Sequence, residues 1–88
     1  MITRQFEVLN ELGFHARVAS RIVREVRKYE SSVIVKKDSK DFDLKNVTGV
    51  ILTNAKRGDF LNIEFHGSDE EAAAQGLKLL FENKFGEK

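Results

Sequence analysis

In the stretch NELGFHARVAS, from Asn10 to Ser20, a histidine and an arginine stand two residues apart, close behind a glycine. A neutral imidazole is a competent nucleophile near physiological pH. An arginine guanidinium is a permanent, forked cation whose donors match the oxygens of a phosphate. His15 and Arg17 also lie where a strand-like pattern gives way to a helix-like one. A helix start leaves its first backbone N–H groups without intrahelical partners, with the positive dipole end behind them. With His15 at or just before the cap, an anion on its ring lies near those donors. Gly13 supplies the backbone freedom for the sharp turn from strand into helix. These parts are enough to hold a phosphoryl group on a ring nitrogen, with no metal and no second catalytic residue.

Each part has a plainer account when taken alone. A lone histidine near a helix start is usually a cap or a surface residue, and glycine before a helix is ordinary loop chemistry. The Arg17, Arg21, Arg24 and Lys28 stripe reads as a solvated face balanced by Glu25. Their convergence on one helix end is what favours a site.

The elements that must position these residues follow from hydrophobic periodicity. Ile2, Arg4, Phe6 and Val8 share one face of an opening strand, and Thr3, Gln5 and Glu7 the other. From Ala16 to about Lys28 the spacing is helical, with Val18, Ala19, Ile22, Val23 and Val26 on the inner side. Ser32 to Lys36 holds a β-branched run, and Asp38-Ser39 turns it into a second run through Phe42 and Leu44. NVTGVILTN reads as a short helix capped by Asn46 and ended by Asn54. After Arg57-Gly58-Asp59 a strand points Leu61, Ile63 and Phe65 inward. SDEE then forms a capping box, Ser68 capping and Glu71 reaching back, before a helix that buries Ala73, Leu77, Leu80 and Phe81. The order is βαββαβα, an α+β fold with helices on one face of the sheet.

The 88 residues fit one domain, residues 1–88. There is no cysteine, so no disulfide frame or thiolate metal site is expected, which suits a cytoplasmic setting. No leader pattern opens the chain, and no apolar run reaches the ~20 residues of a membrane span. A net charge of +1 argues against a dedicated nucleic-acid binder.

GFHARVAS resembles the active-site signature of HPr, the histidine-containing phosphocarrier of the bacterial sugar phosphotransferase system. LKNVTGV resembles the segment around that family's regulatory serine, and GSDEEAA the start of its last helix; together the likeness covers the whole chain. The resemblance implies an open-faced β-sandwich, a four-stranded antiparallel sheet with three helices on one face. It implies that His15 accepts a phosphoryl group from phosphorylated enzyme I on its δ1 nitrogen and passes it to the A component of a sugar-specific enzyme II. Arg17 then holds the phosphate, helped by the backbone N–H groups of Ala16, Arg17 and Val18. The carrier is stoichiometric rather than an enzyme, needs no cofactor, and acts as a monomer. Its transient partner surface maps onto Arg21, Arg24, Val47, Thr48 and Ile51, with Arg27 and Lys28 at its margin; regulatory proteins are further candidate partners.

Two positions depart from the family pattern. Val18 stands where the signature has proline, which restores one N–H in the first helical turn. Asn46 stands where many Gram-positive members carry a phosphorylated serine; it caps a helix as well as serine does but offers no hydroxyl. The ATP-dependent HPr kinase is therefore not expected to modify residue 46. These changes keep open a diverged paralogue in a nitrogen-related or purely regulatory phosphorelay, or a non-transferring effector.

Readings from other classes fare worse. A sheet that binds RNA needs aromatic platforms among basic residues. The outward positions here are Gln5, Glu7, Asp41, Asp43, Asn62 and Glu64, with Phe60 the one ring. No second acid or base lies near His15 in sequence to support a hydrolase. A metal site joining His15 to His66 is not expected, because His66 lies at the far end of the last strand.

Overall fold

The computed structural model describes residues 1–87. Four strands, β1 (Ile2–Glu7), β2 (Ser32–Lys37), β3 (Lys40–Asp43) and β4 (Phe60–His66), form one antiparallel sheet in the order β1-β4-β2-β3. β4 therefore lies between β1 and β2, with Ile2 opposite Phe65 on one side and Val33 opposite Phe65 on the other. Three helices, α1 (Ala16–Val26), α2 (Val47–Leu52) and α3 (Glu70–Glu82), cover one face, and a 3₁₀ turn at Lys84–Gly86 follows α3. The expected order and sheet are those observed, and α1 ends one turn's fraction earlier, at Val26.

Alternation decides which side chains enter the core. Val33, Val35, Leu61, Ile63 and Phe65 are fully or almost fully buried beneath Val18, Ala19, Ile22 and Val26 of α1 and Leu77 and Phe81 of α3. Arg4, on the inward register of β1, is exposed. β1 is an outer strand of the sheet, so its inward side leaves room for a long side chain to reach water beside α3.

α2 begins where Asn46 Oδ1 accepts the Thr48 N–H at 2.8 Å, and Asn54 ends that region in the left-handed conformation (φ 52°). Gly49 lets the helix sit on the end of β3: a Cβ there would lie 2.3 Å from the Asp43 carbonyl oxygen.

The start of α3 differs from the expected capping box. The flanking residue is Asp69, whose side chain makes no capping bond. Its carboxylate instead accepts the N–H groups of Glu30 and Ser31, both at 2.9 Å, and the Ser31 hydroxyl. Three donors from the chain entering β2 outcompete a local cap, and they hold Asp69 below the usual carboxylate range, the Ser31 hydroxyl most of all. Ser68 donates to Glu30, and Glu70 rather than Glu71 reaches back, accepting the Gly67 N–H at 3.2 Å.

Candidate functional site

The loop from Val8 to Phe14 is fixed before His15 is reached. Asn10 is fully buried and its side-chain amide donates to the Gly13 carbonyl at 2.8 Å. Gly13 has φ +67°, and a Cβ there would lie 2.4 Å from the Ala55 carbonyl oxygen, so both conformation and space demand glycine. The next N–H, that of Phe14, donates to the same Ala55 oxygen at 3.0 Å. The Phe14 ring is buried against Phe81 and Phe85, with centroids 6.0 and 5.6 Å away. His15 thus leaves a loop pinned on both sides.

His15 is itself the N-cap of α1, with extended backbone, and its Nδ1 accepts the Arg17 N–H at 3.3 Å. The N–H groups of Ala16 and Val18 make no hydrogen bond among the described residues. Of the first-turn donors, that of Arg17 is turned onto the δ1 nitrogen, and those of Ala16 and Val18 are left open among the described residues. No acidic residue lies in that first turn.

The ε2 side has a partner from the opposite end of the chain. His15 Nε2 lies 2.9 Å from Glu87 Oε1. One tautomer satisfies both contacts: the proton sits on Nε2 and donates to the carboxylate, and the Nδ1 lone pair is left to accept. The second carboxylate oxygen, Oε2, faces Arg17 Nε at 3.4 Å and Arg21 Nη1 at 3.3 Å. These contacts hold the Glu87 carboxyl below its ordinary 4.5, the His15 hydrogen bond contributing most, with Arg17 and Arg21 adding to it against partial desolvation.

A reversal of the chain after α3 delivers Glu87. Lys84, Phe85 and Gly86 all have positive φ, 54°, 56° and 75°. Two of these are not glycine, so the turn is held by its surroundings rather than by preference. Phe85 is 1% exposed, its ring 4.8 Å from Phe81, and its carbonyl accepts a hydrogen bond from Arg21. An open cleft of about 380 Å³ beside this turn is lined by Glu11, Leu12, Arg17, Gly86 and Glu87.

A family model for the phosphorylation site of the HPr component of the phosphotransferase system matches residues 2–83. The chain belongs to the HPr family. Phosphocarrier protein HPr of Xylella fastidiosa is 33% identical over 87 residues, 99% of this chain and 98% of that protein. The crystal structure of HPr-C-His from Thermoanaerobacter tengcongensis superposes with a TM-score of 0.94 at 34% identity, covering 100% of this chain and 99% of that one. The HPr dimer of the same organism covers 99% of this chain and 100% of its own, at the same identity and a TM-score of 0.78. HPr proteins are phosphocarriers of the phosphotransferase system, working through transient contacts with its enzymes, and the sheet and helices above are those of the family.

The HPr site residues expected from sequence fall into two groups. His15, Arg17 and the N–H groups of Ala16 and Val18 converge at one helix end. The Arg17 guanidinium pairs with Glu87. Arg21 is drawn into the same pairing, whereas Arg24, Val47, Thr48 and Ile51 are exposed. Arg27 is tied to the fold by its Nε–H donating to the Lys45 carbonyl at 3.0 Å, and Lys28 pairs with Glu25. Leu12 and Leu52 are 70% and 63% exposed, an apolar addition to this surface that periodicity did not single out. His66 is exposed, and Ser32 pairs with it at the sheet end opposite the Glu7–Phe60 pair that precedes the His15 loop. Among the described residues no cluster of three metal-ligating side chains occurs, and no helix is long and apolar enough to cross a membrane.

Glu87 is the site residue that sequence reasoning missed. It is 72 residues from His15, with no local pattern to link them. The one available signal was Phe85, an aromatic residue beyond the last helix with no role in its periodicity.

Proposed function

We propose that His15 carries a phosphoryl group on Nδ1, taking it from phosphorylated enzyme I and giving it to the A component of a sugar-specific enzyme II. The observation that carries this reading is the division of the ring, Nε2 committed to Glu87 and Nδ1 accepting the Arg17 N–H at the start of α1. In the first transfer the Nδ1 lone pair attacks phosphorus, and the bond to the donor's atom breaks with its electron pair leaving on the donor. The second transfer runs the same exchange outward. The N–H groups of Ala16, Arg17 and Val18 meet the phosphoryl oxygens, and Arg17 turns from Glu87 to join them.

Arg21 and the exposed Arg24 of α1, with the exposed Val47, Thr48 and Ile51 of α2, form the docking surface, basic on α1 and largely apolar on α2. Such an interface is small and short-lived, because one patch serves several partners in turn. The carrier is consumed and restored stoichiometrically and works in the cytoplasm beside those enzymes. It acts as a single copy.

Incubation with enzyme I and phosphoenolpyruvate, read by intact mass, tests the reading. The expected result is an acid-labile gain of one phosphate in the wild type and none in His15→Ala. A wild-type chain that gains nothing from several enzyme I sources would instead be a non-transferring effector or serve another relay.

A further inference from the structure

Building on the reading of His15 as phosphoryl acceptor, we propose that Glu87 is the positioning residue for that step. Its carboxylate holds the imidazole in the Nε2–H tautomer, keeps the Nδ1 lone pair available, and balances the charge the ring gains when the P–N bond forms.

The geometry divides the work between the two carboxylate oxygens. Oε1, 2.9 Å from Nε2, accepts the ring proton, and a neutral imidazole has only one. Fixing it on Nε2 makes Nδ1 the nucleophilic nitrogen. As the Nδ1 lone pair bonds phosphorus and the donor departs with the electron pair of the broken bond, the ring keeps its Nε2 proton and becomes cationic. A carboxylate already at hydrogen-bond distance stabilises that cation without taking the proton, as the buried aspartate of a serine-protease triad does for its histidine. Oε2, held by Arg17 and Arg21, keeps the carboxylate aimed. Arg17 is 64% exposed and can leave for the phosphoryl group, while Arg21 also grips the Phe85 carbonyl and stays. The Glu87 side chain is 11% exposed, so water competes little for the ring proton.

A partner-free donor separates this role from the choice of partner. Phosphoramidate transfers its phosphoryl group to an imidazole nitrogen as its own P–N bond breaks and ammonia leaves. With ¹⁵N-labelled protein, ring nitrogen shifts report the tautomer, and ³¹P–¹⁵N spectra report which nitrogen is phosphorylated. The wild type is expected to show the Nε2–H tautomer and an adduct on Nδ1 alone. Glu87→Ala is expected to populate both tautomers, to form adducts on both nitrogens, and to slow Nδ1 phosphorylation about tenfold, the worth of one hydrogen bond to a charged group. Glu87→Gln keeps an acceptor but no charge, so it should retain the tautomer and still lose rate. Thermal melts establish that both variants remain folded. Wild-type tautomer, selectivity and rate in Glu87→Ala would overturn the proposal. If enzyme I fails to charge the wild type while phosphoramidate labelling depends on Glu87 as described, the carrier reading falls and the positioning role stands.

Discussion

The placement of His15 and Arg17 at a helix start was legible because its determinants are local: a glycine two residues before the histidine and a helix beginning just after it. Val18 belongs to the same turn and carries the clearest residue-scale consequence. Its side chain is fully buried among the apolar face of α1, so valine serves the core, while its N–H remains open among the described residues. Proline in the first helical turn is tolerated, so Val18→Pro removes that donor without breaking the helix. On the proposed role of this turn, one charge-assisted hydrogen bond to the phosphoryl group is then lost. The expected outcome is a shift of the phosphoryl equilibrium back toward enzyme I by about tenfold, measured by quantifying phosphorylated carrier at fixed donor ratios. Glu87 was illegible for the opposite reason, since a contact made by chain reversal leaves no trace in the spacing of either segment.

Elements were readable where one face meets one core, as in α1 and β4. They were misread where a tertiary partner outcompeted a local one. SDEE satisfies the pattern of a capping box, yet Asp69 found three donors on the chain entering β2, and the helix began one residue later in consequence. At α2 the local reading held, because no rival donor intervenes between Asn46 Oδ1 and the Thr48 N–H. A six-residue helix has little else to fix its entry. Asn46→Ala should cost about 1 kcal/mol in chemical denaturation and expose the α2 amides to faster hydrogen exchange, whereas Asn46→Ser should cost far less. The same serine variant supplies the hydroxyl that the wild-type chain lacks at this position.

At the scale of the molecule, four phenylalanines join the beginning of the chain to its end. Phe6 stacks on Phe81 at 4.9 Å, and Phe14 and Phe85 meet Phe81 edge-on at 6.0 and 4.8 Å. Phe14 directly precedes His15 and Phe85 lies two residues before Glu87, so core packing sets the distance between the imidazole and the carboxylate. Phe85→Ala removes a ring that is 1% exposed and should cost about 3 kcal/mol by denaturant titration. Its ¹⁵N spectrum should move toward that of Glu87→Ala, because the strained turn carrying Glu87 loses its anchor. The strand order has a consequence in time. β1 and β2 have no pairing with each other and meet only through β4, so Val33 and Ile2 wait for Phe65. A chain emerging from synthesis cannot close its sheet until residues 60–66 are available, and long-range pairings of this kind are slow to form. His15 is made early and the carboxylate that meets its Nε2 comes 72 residues later. An unfinished chain therefore displays a histidine whose ring has not yet met the carboxylate that fixes its tautomer.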